Sequence, residues 1–301
     1  MIHELDILAG LLPKLKAGPD VPVGPGDDCA AIDLGGGLLL LAAVDQLISG
    51  VHFVPGETPP RVAGAKLLKR NLSDIAAMGG VPKWALLTLA ADSRSDQYLL
   101  DFALGAAEAA EAYGVAIVGG DLAALPPGSN LEATTLTILG TVPAAEIVRR
   151  SGARPGDCLM VTGKLGNSFG SGRHLTFAPR LAEGRFLAQK AYASAMIDLS
   201  DGCLLDASRL AAASGVAIEL DPARLPCHVG AAIEGALGDG EDYELLFTVP
   251  ELRAKALAAS WPAGFAPLTR IGRVLAAGTP GGVFAPDGGN LLQNRRGGYV
   301  H

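Results

Sequence analysis

The chain has 301 residues, 49% of them hydrophobic and 18% charged, with 40 glycines. This is long enough for two domains of ordinary size and too apolar for a disordered or fibrous chain. A formal charge of −7, with no basic run longer than Arg149-Arg150 or Arg295-Arg296, argues against binding nucleic acid by phosphate neutralisation.

In chain order, Leu5, Leu8, Leu11 and Leu12 fit an amphipathic N-terminal helix. Its acidic residues and missing basic start do not fit a signal peptide. "GLLLLAAVD" reads as a buried strand ending in Asp45, and no such run approaches the roughly 20 residues that span a bilayer. "RVAGAKLLKRNLSDIAAMG" places Val62, Ala65, Leu68 and Leu72 at helical spacing before a glycine pair. "KWALLTLAA" is a strand, "DQYLLDFALGAAEAAEAYG" a helix closed by Gly114, "VAIVGGD" a short strand into a turn, and "LEATTLTILGTV" a β-branched strand. Prolines, glycines and charge in "PAAEIVRRSGARPGD" mark a boundary, giving expected domains of 1–145 and 146–301. The second half opens with the strand "CLMVTG" and the Gly-rich "GKLGNSFGSGR". The helix "LLDASRLAAASG" and the strands "VAIEL", "YELLFTV" and "LTRIGRVL" follow. Strands and helices mingle without strict alternation, so the fold class is α+β. "NLSDIAAMG" at 71 and "DLSDGCLLD" at 198 echo one another, as related halves or chance repetition would. The four cysteines (Cys29, Cys158, Cys203, Cys227) form no CxxC pair, which fits a reducing cytoplasm rather than a zinc site or disulfide framework.

The aspartates carry the chemistry. Asp27 and Asp28 follow the turn "GPG", Asp74 interrupts a helical apolar face, and Asp45, Asp121 and Asp198 end apolar strands, with Asp201 close behind. One strand-end Asp is commonly a helix cap or a turn former. Several shift the balance toward a shared cation site, because two like charges 4 Å apart cost about 4 kcal/mol at an effective dielectric near 20. Oxygen donors without paired His or Cys point to Mg²⁺ rather than Zn²⁺, and so to a Mg-nucleotide as ligand. Neither GxxxxGK[ST] nor GxGxxG is present. "VTGKLGNSFGSGR" offers backbone N–H groups to a phosphate, or is a plain flexible loop.

"GPGDDCA", "VDQLISGVHF", "NLSDIAAMGGVP", "VGGD", "RRSGARPGD", "IDLSDG" and "GEDYELLFTVP" occur in the order seen in thiamine-monophosphate kinases, of the aminoimidazole ribonucleotide synthetase superfamily. The chain resembles that family from "HELDIL" to "GGYVH". The resemblance implies ATP-dependent phosphorylation of thiamine monophosphate to thiamine diphosphate, by direct in-line transfer with Mg²⁺. It implies Asp27, Asp28, Asp45, Asp74, Asp121, Asp198 and Asp201 at the metals, and Gly120, Asp121, Arg150 and Ser200 at ATP. His52, Glu241 and Tyr299 would surround the thiamine, whose thiazolium cation suits a carboxylate and an aromatic face. It also implies a homodimer joined through the N-terminal sheets, and a C-terminal α/β-type sandwich domain. No catalytic base is expected, since positioning and charge neutralisation supply most of the rate of phosphoryl transfer. The chain departs from the family pattern at Ala43-Val44, Leu122-Ala123 and "GDGEDYEL". The alternatives are another ATP-using synthetase of the superfamily and a non-catalytic Mg-nucleotide-binding protein.

Overall fold

Alternating apolar residues of the first half fold into a five-stranded sheet in the order β1-β2-β5-β3-β4. Its strands are β1 (Ala30–Asp33), β2 (Leu38–Ile48), β3 (Val81–Ala91), β4 (Ala116–Ala124) and β5 (Glu132–Pro143). The computed structural model describes residues 4–92, 95–129, 131–276, 278 and 280–293. After the N-terminal helix α1 (Glu4–Leu11), two long helices, α2 (Pro60–Ala77) and α3 (Asp96–Ala112), cover one face of the sheet. Leu41 and Leu47 of β2, Leu87 of β3 and Leu136 and Ile138 of β5 pack there with Leu67, Leu68, Leu72 and Phe102. The other face is bare, leaving Val44, Trp84 and Leu86 at 60%, 42% and 40% exposure.

The second sheet is covered on both sides. It runs β11-β8-β10-β6-β9-β7, from β6 (Cys158–Thr162), β7 (Ala195–Asp198), β8 (Ala217–Leu220), β9 (Leu245–Val249), β10 (Leu268–Leu275) and β11 (Val283–Phe284). Its helices are the short α4 (Arg173–Thr176), α5 (Leu181–Gln189), α6 (Cys203–Ser214), α7 (Ile233–Gly238) and α8 (Glu251–Ser260). Leu159, Val161 and Ile197 face Leu204 and Leu210 of α6 on one side. Cys158, Met160, Met196 and Phe247 face Leu187 of α5 and Leu257 of α8 on the other. Burial on both faces explains why β6, β7 and β9 read as continuous apolar runs. The helices sandwich this sheet, but its pairings are antiparallel except β11 with β8, so the parallel order of α/β proteins is absent.

The C-terminal end of α2 joins the two halves, with Ala76 and Ala77 packed among Met160, Met196 and Leu187 of the second. Two expected strand ends are corrected: β2 continues past Asp45 to Ile48, and β4 past Asp121 to Ala124. The echo between residues 71 and 198 is not a structural repeat, since Asp74 lies inside α2 while Asp198 ends β7. No described helix is long and apolar enough to cross a membrane. All four cysteines are free thiols.

Candidate active site

Three separate elements deliver carboxylates to one point at the seam between the halves. Asp28 comes from the turn after Gly26, Asp74 from the last turns of α2, and Asp198 from the end of β7. Each offers an oxygen within 4.8 Å of the others. Burial raises Asp74 well above the usual carboxylate range, and Asp45, Asp198 and Asp28 add to it. Burial likewise raises Asp198, with Asp28 adding to the effect and the Ser73 hydroxyl, which donates to Asp198 Oδ2 at 2.6 Å, opposing it. At such spacing each like-charged pair costs about 3.5 kcal/mol at an effective dielectric near 20. The cluster therefore calls for a cation or bound protons. Its donors are all oxygens, which fits Mg²⁺ with water or phosphate oxygens completing the shell.

Around this cluster the fold supplies partial compensation. Arg150 donates to both oxygens of Asp28, Nε at 3.1 Å and Nη2 at 3.0 Å, and its backbone N–H donates to Asp27. Burial, then Asp28, pushes Asp27 up to about 6 despite that bond. Asp45 lies on the helix-covered face, where its backbone N–H donates to Asn71 Oδ1 at 3.1 Å and Arg70 Nε sits 3.5 Å from its carboxylate. Asp201 pairs with Arg209, which also holds Asp206 at 2.8 Å. Burial, then Asp201, pushes Asp206 up to about 7. Gly202, at φ 116°, turns the chain from Asp201 into α6, a conformation side chains disfavour.

Beside the cluster opens a cavity of about 320 Å³ lined by His52, Arg70, Phe169, Ser200, Asp201 and Glu241, among others. His52 Nδ1 accepts the Ile48 N–H at 2.9 Å, so a neutral ring carries its proton on Nε2. Glu241 is not a bare carboxylate awaiting a cation. The fully buried Lys66 Nζ donates to Glu241 Oε2 at 2.5 Å and to the His52 carbonyl at 2.6 Å. Burial pulls Lys66 down to about 8 against the pull of Glu241. Glu241 and Tyr243 both hold positive φ, at 55° and 51°, a costly backbone that clusters at functional sites. Phe169 supplies an aromatic face at the cavity, while Tyr299 lies outside the described residues.

Not every expected residue converges. In the sheet, Asp45, Leu136, Leu87 and Gly120 form one cross-strand row facing the helices. Asp121 belongs to the next row, with Gln46, Thr135 and Thr88, and faces the opposite side. Three strand spacings, about 14 Å, also separate β4 from β2. Within one chain the fold therefore keeps Asp121 away from the cluster. Gly120 has a packing reason of its own, since a Cβ there would sit 1.8 Å from the Leu87 carbonyl oxygen. The Gly-rich segment is not an open phosphate cradle either. Its Gly166 N–H is taken by Asp242 and its Asn167 N–H by Asp239. Sequence reasoning missed Lys66, Arg70, Phe169 and Asp206. The signal for the first two was the i, i+4, i+8 spacing of Lys66, Arg70 and Asp74, which stacks them on one face of α2.

Comparison with known proteins agrees with this arrangement. Residues 26–142 match the family model of the AIR synthase related protein, N-terminal domain. The thiamine-monophosphate kinase of Rhodopirellula baltica is 38% identical over 90% of this chain and 89% of its own length. That of Escherichia coli strain K12 is 34% identical over 99% and 98%. A solved structure of AaThiL complexed with AMPPCP and TMP superposes with a TM-score of 0.84 at 31% identity, covering 99% of this chain and 97% of that one. Residues 26–142 thus form an AIR synthase related N-terminal domain. The chain belongs to the thiamine-monophosphate kinase family of enzymes.

Proposed function

We propose that this enzyme transfers the γ-phosphoryl group of ATP directly to thiamine monophosphate, giving thiamine diphosphate and ADP, with Mg²⁺ held by Asp28, Asp74 and Asp198. The observation that carries this reading is the convergence of those carboxylates beside the cavity lined by His52, Glu241 and Ser200. AaThiL, which shares this architecture, was solved with AMPPCP and TMP. Bound Mg²⁺ would neutralise phosphate charge and hold the two phosphates in line.

The chain's own residues place the reactants. Asp45 and Asp27 extend the acidic surface on either side of the cluster, and Asp201 with Ser200 forms the rim shared by the cluster and the cavity. Arg150, already paired with Asp28, stands ready to exchange that partner for a nucleotide phosphate. The thiamine lies in the cavity, its cationic ring against the Phe169 face and beside the Glu241–Lys66 pair. The bare face of the first sheet supports a homodimer: a second copy would cover Val44, Trp84 and Leu86 and bring the partner's edge strand, with its own Gly120 and Asp121, toward the nucleotide. The test is a purified-protein assay with Mg-ATP and thiamine monophosphate. Thiamine diphosphate and ADP in equal amounts are the expected products. Hydrolysis of ATP without thiamine diphosphate, or no turnover, would reject the reading.

A further inference from the structure

Arg70 is the one cation among the described residues that line the cavity; the other charged residues there are Asp201, Asp239 and Glu241. Its guanidinium is buried, with the residue 7% exposed. It is also under-used. Nη1 donates to the Gln46 carbonyl at 2.7 Å, while Nε faces Asp45 at 3.5 Å without a hydrogen bond. A guanidinium has five N–H donors in a planar fork; here Nε is buried without a hydrogen-bond partner, which is costly, and no hydrogen bond among the described residues takes Nη2. If Arg70 served only to neutralise Asp45, a bidentate pair like that of Arg150 with Asp28 would be the cheaper geometry.

Its place along α2 says what the idle donors meet. Lys66, Arg70 and Asp74 follow at four-residue steps, each about 6 Å along the helix axis. Lys66 lies under Glu241, where the thiamine's organic part is placed, and Asp74 lies in the carboxylate cluster. Arg70 stands between them. A ligand laid along this face with its organic end at Lys66 turns its phosphate, which is the reacting group, toward the cluster at Asp74, and that phosphate passes beside Arg70.

We propose that Arg70 recognises the acceptor's existing phosphate and so selects thiamine monophosphate over unphosphorylated thiamine. This rests on the kinase reading above. The test is calorimetric titration of thiamine monophosphate and of thiamine into the full-length protein with Mg²⁺ present, for wild type, Arg70→Met and Arg70→Lys. The wild type prefers the monophosphate by about 10- to 100-fold, the range of one charge-assisted contact. Arg70→Met loses most of that preference while thiamine affinity stays within about threefold, and Arg70→Lys recovers part of it. A merely structural arginine would lower both affinities together, and that result, or a preference unchanged in Arg70→Met, overturns the proposal. Should Arg70→Met fail to fold by circular dichroism, a crystal structure of the wild type with thiamine monophosphate decides. A guanidinium within about 3.2 Å of a phosphate oxygen supports the proposal, and one held away from the phosphate overturns it. The two readings fail separately. A wild type that phosphorylates thiamine monophosphate while Arg70→Met keeps its preference rejects Arg70 alone. A wild type that neither binds nor phosphorylates it rejects the kinase reading, and this proposal with it.

Discussion

The seam between the halves and the bare face of the first sheet both carry aspartate, under opposite conditions. At the seam, Asp28, Asp74 and Asp198 arrive from a loop, a helix and a strand end and crowd within 4.8 Å. On the bare face, Asp121 stands exposed on an edge strand, with no carboxylate beside it in its row. The first arrangement strains the fold and has to be offset, by a bound cation or by bound protons. The second costs the monomer nothing, and its role depends on what covers that face. An acidic residue beside a strand is therefore not itself a site; convergence from different elements is.

The sharpest way to separate the two regions is to neutralise each. Asp74→Asn is expected to cut turnover by about a thousandfold or more, judged against the size of electrostatic contributions to catalysis. Its metal-free melting temperature should stay equal or rise, because repulsion with Asp45, Asp198 and Asp28 is removed. Asp121→Asn should also lower activity, yet leave metal-free melting unchanged. Equal behaviour of the two variants in both assays would erase the distinction. Next in size, if the proposed dimer forms through the bare face, a charge there, Leu86→Asp, is expected to leave the protein monomeric in analytical ultracentrifugation where the wild type is dimeric, and to lower activity about tenfold or more. A variant that remains dimeric would place the interface elsewhere.

Within the cavity, Glu241→Gln should raise KM for thiamine monophosphate about tenfold and destabilise the fold by about 1–3 kcal/mol, since it leaves Lys66 without its carboxylate. Denaturant unfolding and steady-state kinetics read the two effects. The smallest effect is the pH dependence. Asp27 at about 6 and Asp206 at about 7 sit above the ordinary carboxylate value of 3.8, and Asp74 and Asp198 are raised in the same direction. A raised folded-state value means the folded protein holds more protons than the unfolded chain between those limits. Metal-free stability should therefore fall as pH rises from about 4 to about 7, and the stabilisation given by Mg²⁺ should grow over the same window. A flat melting profile without metal would contradict the buried cluster.

Much of this was legible in the sequence because apolar spacing and turn residues report directly on strands and helices. The helix carrying Asp74 and the strand ending in Asp198 came through for that reason. The sequence predicts strand ends at Asp45 and Asp121, because a carboxylate closing an apolar run looks like an exit from the core. Asp45 stays in β2 because the Asn71 amide and Arg70 meet it, and Asp121 stays in β4 because its side faces outward. Lys66 and Arg70 show in the sequence only as a spacing on the face of Asp74, with no sign of their role. A cation inside an amphipathic helix reads as part of its polar face, and the Glu241 partner of Lys66 lies 175 residues away. Phe169 was hidden in the same way, in a glycine-rich stretch whose composition suggested a phosphate loop.

The most direct test of the site is a crystal of the wild-type protein soaked in Mn²⁺ with an ATP analogue, with anomalous scattering used to locate the ion. The predicted result is an anomalous peak bounded by oxygens of Asp28, Asp74 and Asp198, lost in Asp74→Asn. A fully occupied nucleotide with no peak among those three carboxylates would contradict it.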